Sequence, residues 1–297
     1  MTNRVHRSGE VTESLESPME AVKQSFLFVS PHLDDAVLSC GALIAHLAPL
    51  TSVTVATIFT HDAPGPHTRS AQEFARQCGW THSAELFEER RKEDAKVLTE
   101  AGAGHVHLGF PDALFRRRPA ASRLRRSAGR LVPELEHIYP TYRFHVARGR
   151  ISTLDADVFD RTATSIYAVA DSIHAGTVFF PMGIGRHVDH VMARTIGEHY
   201  RGNAVFYADF PYALTKPTDI DFTRRNQLAE VMWSKGIDAK AQLIFGYRTQ
   251  APMLFPGGGV PAIPERYYAR PGTDPLAGVG EPAVDTLGDG GRTGTSG

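Results

Sequence analysis

Short apolar runs of strand length alternate along this chain with longer stretches of helical period, and this alternation restricts the fold more than any other feature. Residues 26–30 (FLFVS) precede an apolar-periodic stretch at 36–47, and 53–59 precede a helical stretch near 85–101. Further strands are expected at 105–108, 177–180 and 204–207, with helices near 160–175 and after Asp189. A strand joined to the next through a helix returns to the same end of the sheet, so the strands must run mostly parallel. The expected fold is therefore α/β, a doubly wound, Rossmann-like sheet. Ligands bind such sheets at the carboxyl ends of the strands, so polar residues just after a strand are the first to inspect.

Residues 1–23 are polar and without period, and 271–297 are rich in Gly, Pro and Thr, so both are expected to be loose flanks of one domain at 24–270. The segment 116–130 (RRRPAASRLRRSAGR) breaks the alternation; an arginine run of this kind is a solvated face or a clamp for a phosphate. Lys and Arg number 32 against 33 Asp and Glu, a net charge of −1, so no global attraction toward nucleic acid or an anionic membrane exists and the expected partner is a small molecule. The two cysteines, Cys40 and Cys78, make neither a disulfide framework nor a CxxC pair. With no apolar signal-like run at the start, a cytoplasmic protein is expected.

Two clusters carry chemistry. The first, Ser30-Pro31-His32-Leu33-Asp34-Asp35, follows the first strand and opens a helix. An ordinary cap needs one carboxylate or hydroxyl there, whereas this turn supplies an imidazole and two adjacent carboxylates. The second, Gly185-Arg186-His187-Val188-Asp189-His190, follows the strand at 177–180. His187 and His190 are three apart and share a face at a helix entry, with Asp189 between them as a carboxylate able to orient an imidazole. His32, Asp35 and His190 together offer three N/O ligands and one open position, the composition of a catalytic zinc site. Asp34 remains as a general base.

The sequences PHLDDAVLSCG and GRHVDH resemble the two signatures of the PIG-L/LmbE-type zinc-dependent N-deacetylases, usually HPDDE and HxDH. The resemblance extends over roughly residues 24–255. It implies His32, Asp35 and His190 as ligands of zinc, with Fe2+ the alternative in vivo, Asp34 as base, and His187 as the electrophilic partner of the oxyanion. It also implies Arg90, in Arg90-Arg91-Lys92-Glu93, and Asp112, in Gly109-Phe110-Pro111-Asp112, as contacts to an amino sugar. An i,i+3 ion pair between Arg90 and Glu93 is the structural alternative.

The chain departs from the pattern at Ala36, where the family usually has Glu, and over about 116–157. The SPHLDDAVLS variant looks closest to deacylases of secondary metabolism. The implied reaction is hydrolysis of an N-acyl, chiefly N-acetyl, group on an amino-sugar conjugate, with zinc and a protonated His187 meeting the oxyanion and Asp189 holding His187. Two other readings stay open: a nucleotide-binding module, since Gly183-Ile184-Gly185 follows a strand although Val188 stands where GxGxxG needs its third glycine; and a metal-dependent phosphoesterase using the arginine segment.

Overall fold

In the computed structural model the described residues are 24–119, 129 and 131–273; the expected loose flanks at 1–23 and from 274 onward lie outside them, as do 120–128 and 130 of the arginine segment. Seven strands form one sheet in the order β3-β2-β1-β4-β5-β7-β6. They are β1 (Ser25–Ser30), β2 (Ser52–His61), β3 (Gly104–Pro111), β4 (Ala175–Pro181), β5 (Ala204–Tyr207), β6 (Ala229–Trp233) and β7 (Glu265–Ala269). β1 to β5 pair in parallel, as the alternation requires, while β7 pairs antiparallel with both β5 and β6. The antiparallel edge was not expected; its strands follow loop-rich sequence in which the alternation no longer operates.

Eight α-helices occur among the described residues: α1 (Asp35–Leu47), α2 (Arg69–Gln77), α3 (Ser83–Glu100), α4 (Ala156–Ser172), α5 (Val188–Glu198), α6 (Ile220–Arg225), α7 (Ile237–Ile244) and α8 (Ala251–Leu254). β1 lies inside the sheet between β2 and β4, and all six of its residues are buried. Its side chains divide by the period of two: Phe26 and Phe28 pack with Val37, Leu43 and Ile44 of α1, while Leu27 and Val29 pack with Met192 and Ile196 of α5. A continuous apolar run is what a strand covered on both faces needs. A third cluster, including Leu33, Phe87, Phe115, Tyr139 and Val188, packs beneath the segment after β3.

The order of strands reverses between β1 and β4. After β1 the chain moves outward through β2 to β3, and from β4 it moves the other way to β5. The crevice at this switch point opens above the carboxyl ends of β1 and β4, which are the positions of the two clusters.

Candidate active site

The turn from β1 into α1 leaves the carboxylate of Asp34 unused by the helix. Asp34 occupies the cap position, yet its side chain makes no capping hydrogen bond. The amide of Ala36 donates instead to Ser30 Oγ (3.0 Å), and the amide of His32 donates to Asp35 Oδ2 (2.9 Å). Capping therefore does not account for this turn, and Asp34 faces the cavity above it. Ala36, the departure from the resembled pattern, is buried in the core behind the turn and does not line the cavity.

Asp35 Oδ2 lies 3.0 Å from His32 Nδ1 and 3.1 Å from His190 Nε2, so the two clusters meet at one carboxylate oxygen. The second nitrogen of each imidazole is fixed by another aspartate: His32 Nε2 lies 3.1 Å from Asp189 Oδ2, and His190 Nδ1 lies 2.6 Å from Asp209 Oδ1. Such outer carboxylates fix ring orientation and tautomer in metal sites. Nitrogens of His32, His187 and His190 also come within 4.8 Å of one another, a group able to hold a metal ion, as do donor atoms of His32, Asp112 and Asp189. Asp189 in the second group is already neutralised by buried Arg116, which leaves the group around His190 as the better acceptor of a cation. All of these side chains are buried, and the N/O donor set suits a divalent metal.

The loop from β4 into α5 is shaped by Gly183 (φ +73°) and Gly185 (φ +89°); a Cβ on Gly185 would stand 2.7 Å from the Tyr212 ring. Gly185 seats the loop under Tyr212 and Gly183 sets it against Val191, so neither is left open to cradle a phosphate, which removes the basis for a nucleotide-binding module. His187 caps α5, its Nδ1 accepting from the amide of Asp189 at 3.2 Å. Burial, with His32 and His190 alongside, holds His187 well below the ordinary histidine range. This favours the neutral form of His187, where the resemblance implied a protonated one. With Nδ1 accepting, its proton sits on Nε2.

The carboxylate of Asp189 also differs from expectation. It does not hold His187: it accepts from the amide of Ala113 (3.0 Å), meets His32, and pairs with Arg116, because the first turn of α5 directs it back under the site. Arg116 is 1% exposed; it also pairs with Asp155 at 2.6 Å and lies over the rings of Phe59 and Tyr139. Arg117 and Arg118 are bound to Glu136, Pro66 and His137, so the described arginines of the 116–130 segment are structural and offer no phosphate clamp. Among the described residues the segment therefore lends a phosphoesterase no support; its other arginines, Arg123, Arg125, Arg126 and Arg130, lie outside them.

Burial and the adjacent Asp35 raise Asp34 to about 6, against the pull of Arg90 and His32. Burial alone would raise Asp35 too, but His190 and His32 hold it well below the usual carboxylate range. Two neighbouring carboxylates are thus pushed in opposite directions, an asymmetry of the kind that separates acid–base groups in active sites. Arg90, 3% exposed, lines the cavity with Nη2 at 3.7 Å from Asp34 Oδ1. It makes no pair with Glu93, whose carboxylate accepts from Thr249. Asp112 caps the short turn after β3 through the amide of Leu114 (2.8 Å) and reaches the cavity 3.4 Å from His32 Nε2.

Asp209, Tyr212 and Tyr142 are additional site residues. Asp209 Oδ2 also accepts from the amide of Ile184 (2.7 Å), tying His190 to the β4–α5 loop. Its place just after β5, another strand end, was the available signal. Tyr142 comes from the irregular stretch after Arg116 and stands 6.0 Å, ring to ring, from His187; nothing local in the sequence marks it.

The chain matches the family described as PIG-L: GlcNAc-PI de-N-acetylase over residues 27–200. It is 29% identical over 219 residues to a 2'-N-acetylparomamine deacetylase of Streptomyces fradiae, a match covering 69% of this chain and 66% of that protein, just under two thirds. A 2'-N-acetylparomamine deacetylase of Niallia circulans is 26% identical over 65% of this chain and 70% of its own length. Among solved structures, a deacetylase–teicoplanin complex from the biosynthesis pathway of teicoplanin shares 25% identity and a TM-score of 0.65, covering 83% of this chain and 98% of that one.

Proposed function

The chain belongs to the PIG-L family, and from that premise we propose that it hydrolyses the N-acyl amide, chiefly N-acetyl, of an amino-sugar conjugate made in secondary metabolism. Similarity to deacetylases named for 2'-N-acetylparomamine and teicoplanin supports the substrate class. The observation that carries the reading is the meeting of His32, Asp35 and His190 beside an uncapped, cavity-facing Asp34.

His32, Asp35 and His190 would hold the metal, which we assign as zinc, with His187 adjoining. When bound, such a metal polarises the acyl carbonyl and acidifies water. Asp34 takes the proton of the attacking water and delivers it to the departing amine, a task suited to a carboxylate raised to about 6. The Nε2–H of neutral His187 donates to the oxyanion as the carbonyl carbon becomes tetrahedral. Arg90 and Asp112 face sugar hydroxyls from the wall of the cavity. Asp189 and Asp209 fix the ring planes of His32 and His190.

The test is acetate release from methyl 2-acetamido-2-deoxyglucoside, with and without chelator and with His190→Ala as control. Release that chelator and the variant both abolish supports the reading; release that persists in either refutes the metal-dependent mechanism.

A further inference from the structure

We propose that Glu265 of β7 and Lys240 of α7 are positioning residues for the candidate metal centre: from outside the cavity they hold the turn of α1 to which both aspartates around His190 are tied. The proposal rests on the reading above only in taking Asp35 and His190 as ligands. Glu265 and Lys240 are 2% and 3% exposed, and their charges meet at 3.2 Å. Neither is among the residues that line the cavity, and neither enters the reaction. A buried ion pair is a costly way to fill space, since apolar side chains of similar volume commonly serve stability as well or better.

The pair grips the middle of α1. Glu265 Oε1 accepts from the amide of Ala42 (2.9 Å) and Oε2 from that of Leu43 (3.1 Å), while Lys240 Nζ donates to the carbonyl of Ser39 (3.4 Å). In an uninterrupted helix these two amides donate to Leu38 and Ser39, so the pair engages groups on both sides of one turn. A side chain that enters the ladder in this way sets where a helix bends. Gly41 lies at the same turn and makes room, because a Cβ there would stand 3.2 Å from Lys240 Cγ. Tyr267 donates its hydroxyl to Glu265 Oε2 (2.7 Å), so four donors fix the carboxylate.

The gripped turn reaches His190 by two routes. Asp35, which meets His190 Nε2, opens α1 and lies one turn before Ser39 on the same face. Asp209, which meets His190 Nδ1, precedes Phe210, whose amide donates to Ser39 Oγ (3.1 Å) and whose ring centroid lies 4.7 Å from Lys240 Nζ. A shift of this one turn therefore moves both carboxylates against the same imidazole. Apolar side chains in place of the pair would let the amides of Ala42 and Leu43 return to the ladder of α1. The fold would persist, and the setting of Asp35 and Asp209 about His190 would relax.

The experiment compares the wild-type chain with Glu265→Leu/Lys240→Met/Tyr267→Phe, which replaces the pair and its hydroxyl partner by apolar side chains, and with Lys240→Met alone. Three properties are read: the Tm of the metal-free protein, zinc affinity by chelator competition, and the proton resonance of His190 Nδ1–H in the metal-free protein, assigned by its loss in His190→Ala. The triple variant should keep its Tm within about 5 °C, yet bind zinc about tenfold more weakly. Its His190 resonance should move upfield as the bond to Asp209 lengthens. Lys240→Met should move the same resonance and weaken zinc binding by about threefold. A triple variant with unchanged resonance and unchanged zinc affinity overturns the proposal, and so does one whose Tm falls while the resonance stays, since the pair is then structural alone. If the triple variant does not fold, Lys240→Met decides, because it leaves Glu265 with three donors; an unmoved resonance there overturns the proposal. Failure of the wild-type chain to bind zinc would count against the metal reading alone, because the resonance is read without metal.

Discussion

At the buried end of the cavity the charged side chains hold one another: His32 is held by Asp189, His190 by Asp209, Asp189 by Arg116, and Arg116 by Asp155. At the open end the walls are side chains of short helices and loops, partly exposed and linked by surface contacts such as Glu73–Arg76. The first region resembles a small buried lattice of charges, in which removing one member strands the next. The second resembles an ordinary protein surface, in which a substitution changes what fits but not what is held. Chemistry belongs in the region where geometry is over-determined, and selectivity in the region free to vary.

The sharpest test of this contrast is Asp34→Asn. Asp34 caps nothing, so the variant should keep its fold and its metal yet lose about 10²- to 10⁴-fold in kcat. Kinetics alongside metal analysis of the purified variant checks this; full activity would remove Asp34 from the base role.

Arg116→Met tests the buried lattice at a distance from the reacting atoms. It leaves Asp155 and Asp189 buried without their cation, so stability should fall by about 3–5 kcal/mol, and metal affinity by about 10- to 100-fold as His32 loses its anchor. Denaturant unfolding and chelator competition read the two effects separately. Asp209→Asn should show the affinity loss with a smaller change in stability, because the amide can still accept from Ile184.

The pH dependence follows from Asp34. A base must be deprotonated, and Asp34 is raised to about 6. Activity should therefore rise through that pH and level off above it, falling at pH 5 to about a tenth of its plateau. A kcat/KM profile checks this, and the residual activity of Asp34→Asn should lack the limb. The smallest effect belongs to the open end: Tyr142→Ala should raise KM for a simple glycoside by only a few-fold, whereas a collapse of kcat would place Tyr142 with the chemistry.

Much of the site was legible because two of its parts are local. A turn of four residues after β1 and one of six after β4, each with the first turn of the helix it opens, bring their histidines and aspartates to the same crevice once the strands are known to be adjacent and parallel. His32, His187 and His190, whose nitrogens converge, and the uncapped Asp34 all belong to those segments. The role of Asp189 was not legible, since a first-turn carboxylate can face its own cap or the sheet below, and only the packed position of Arg116 selects the latter. The lowered pKa of His187 was not legible either, because burial against two other imidazoles is a property of the assembled site.

By itself the sequence determined the parallel core of the sheet, the placement of both clusters at strand ends and the identity of the donors that meet there. These depend on periodicities of two and 3.6 and on side chains a few residues apart, which a chain carries in its order. Only the tertiary structure decided the antiparallel edge, the burial of Arg116 between two aspartates, the anchoring of His190 by Asp209 and the grip of Glu265 on α1. Each joins residues from 19 to more than a hundred positions apart, and which of many possible partners a side chain meets over such spans is fixed by packing of the whole domain.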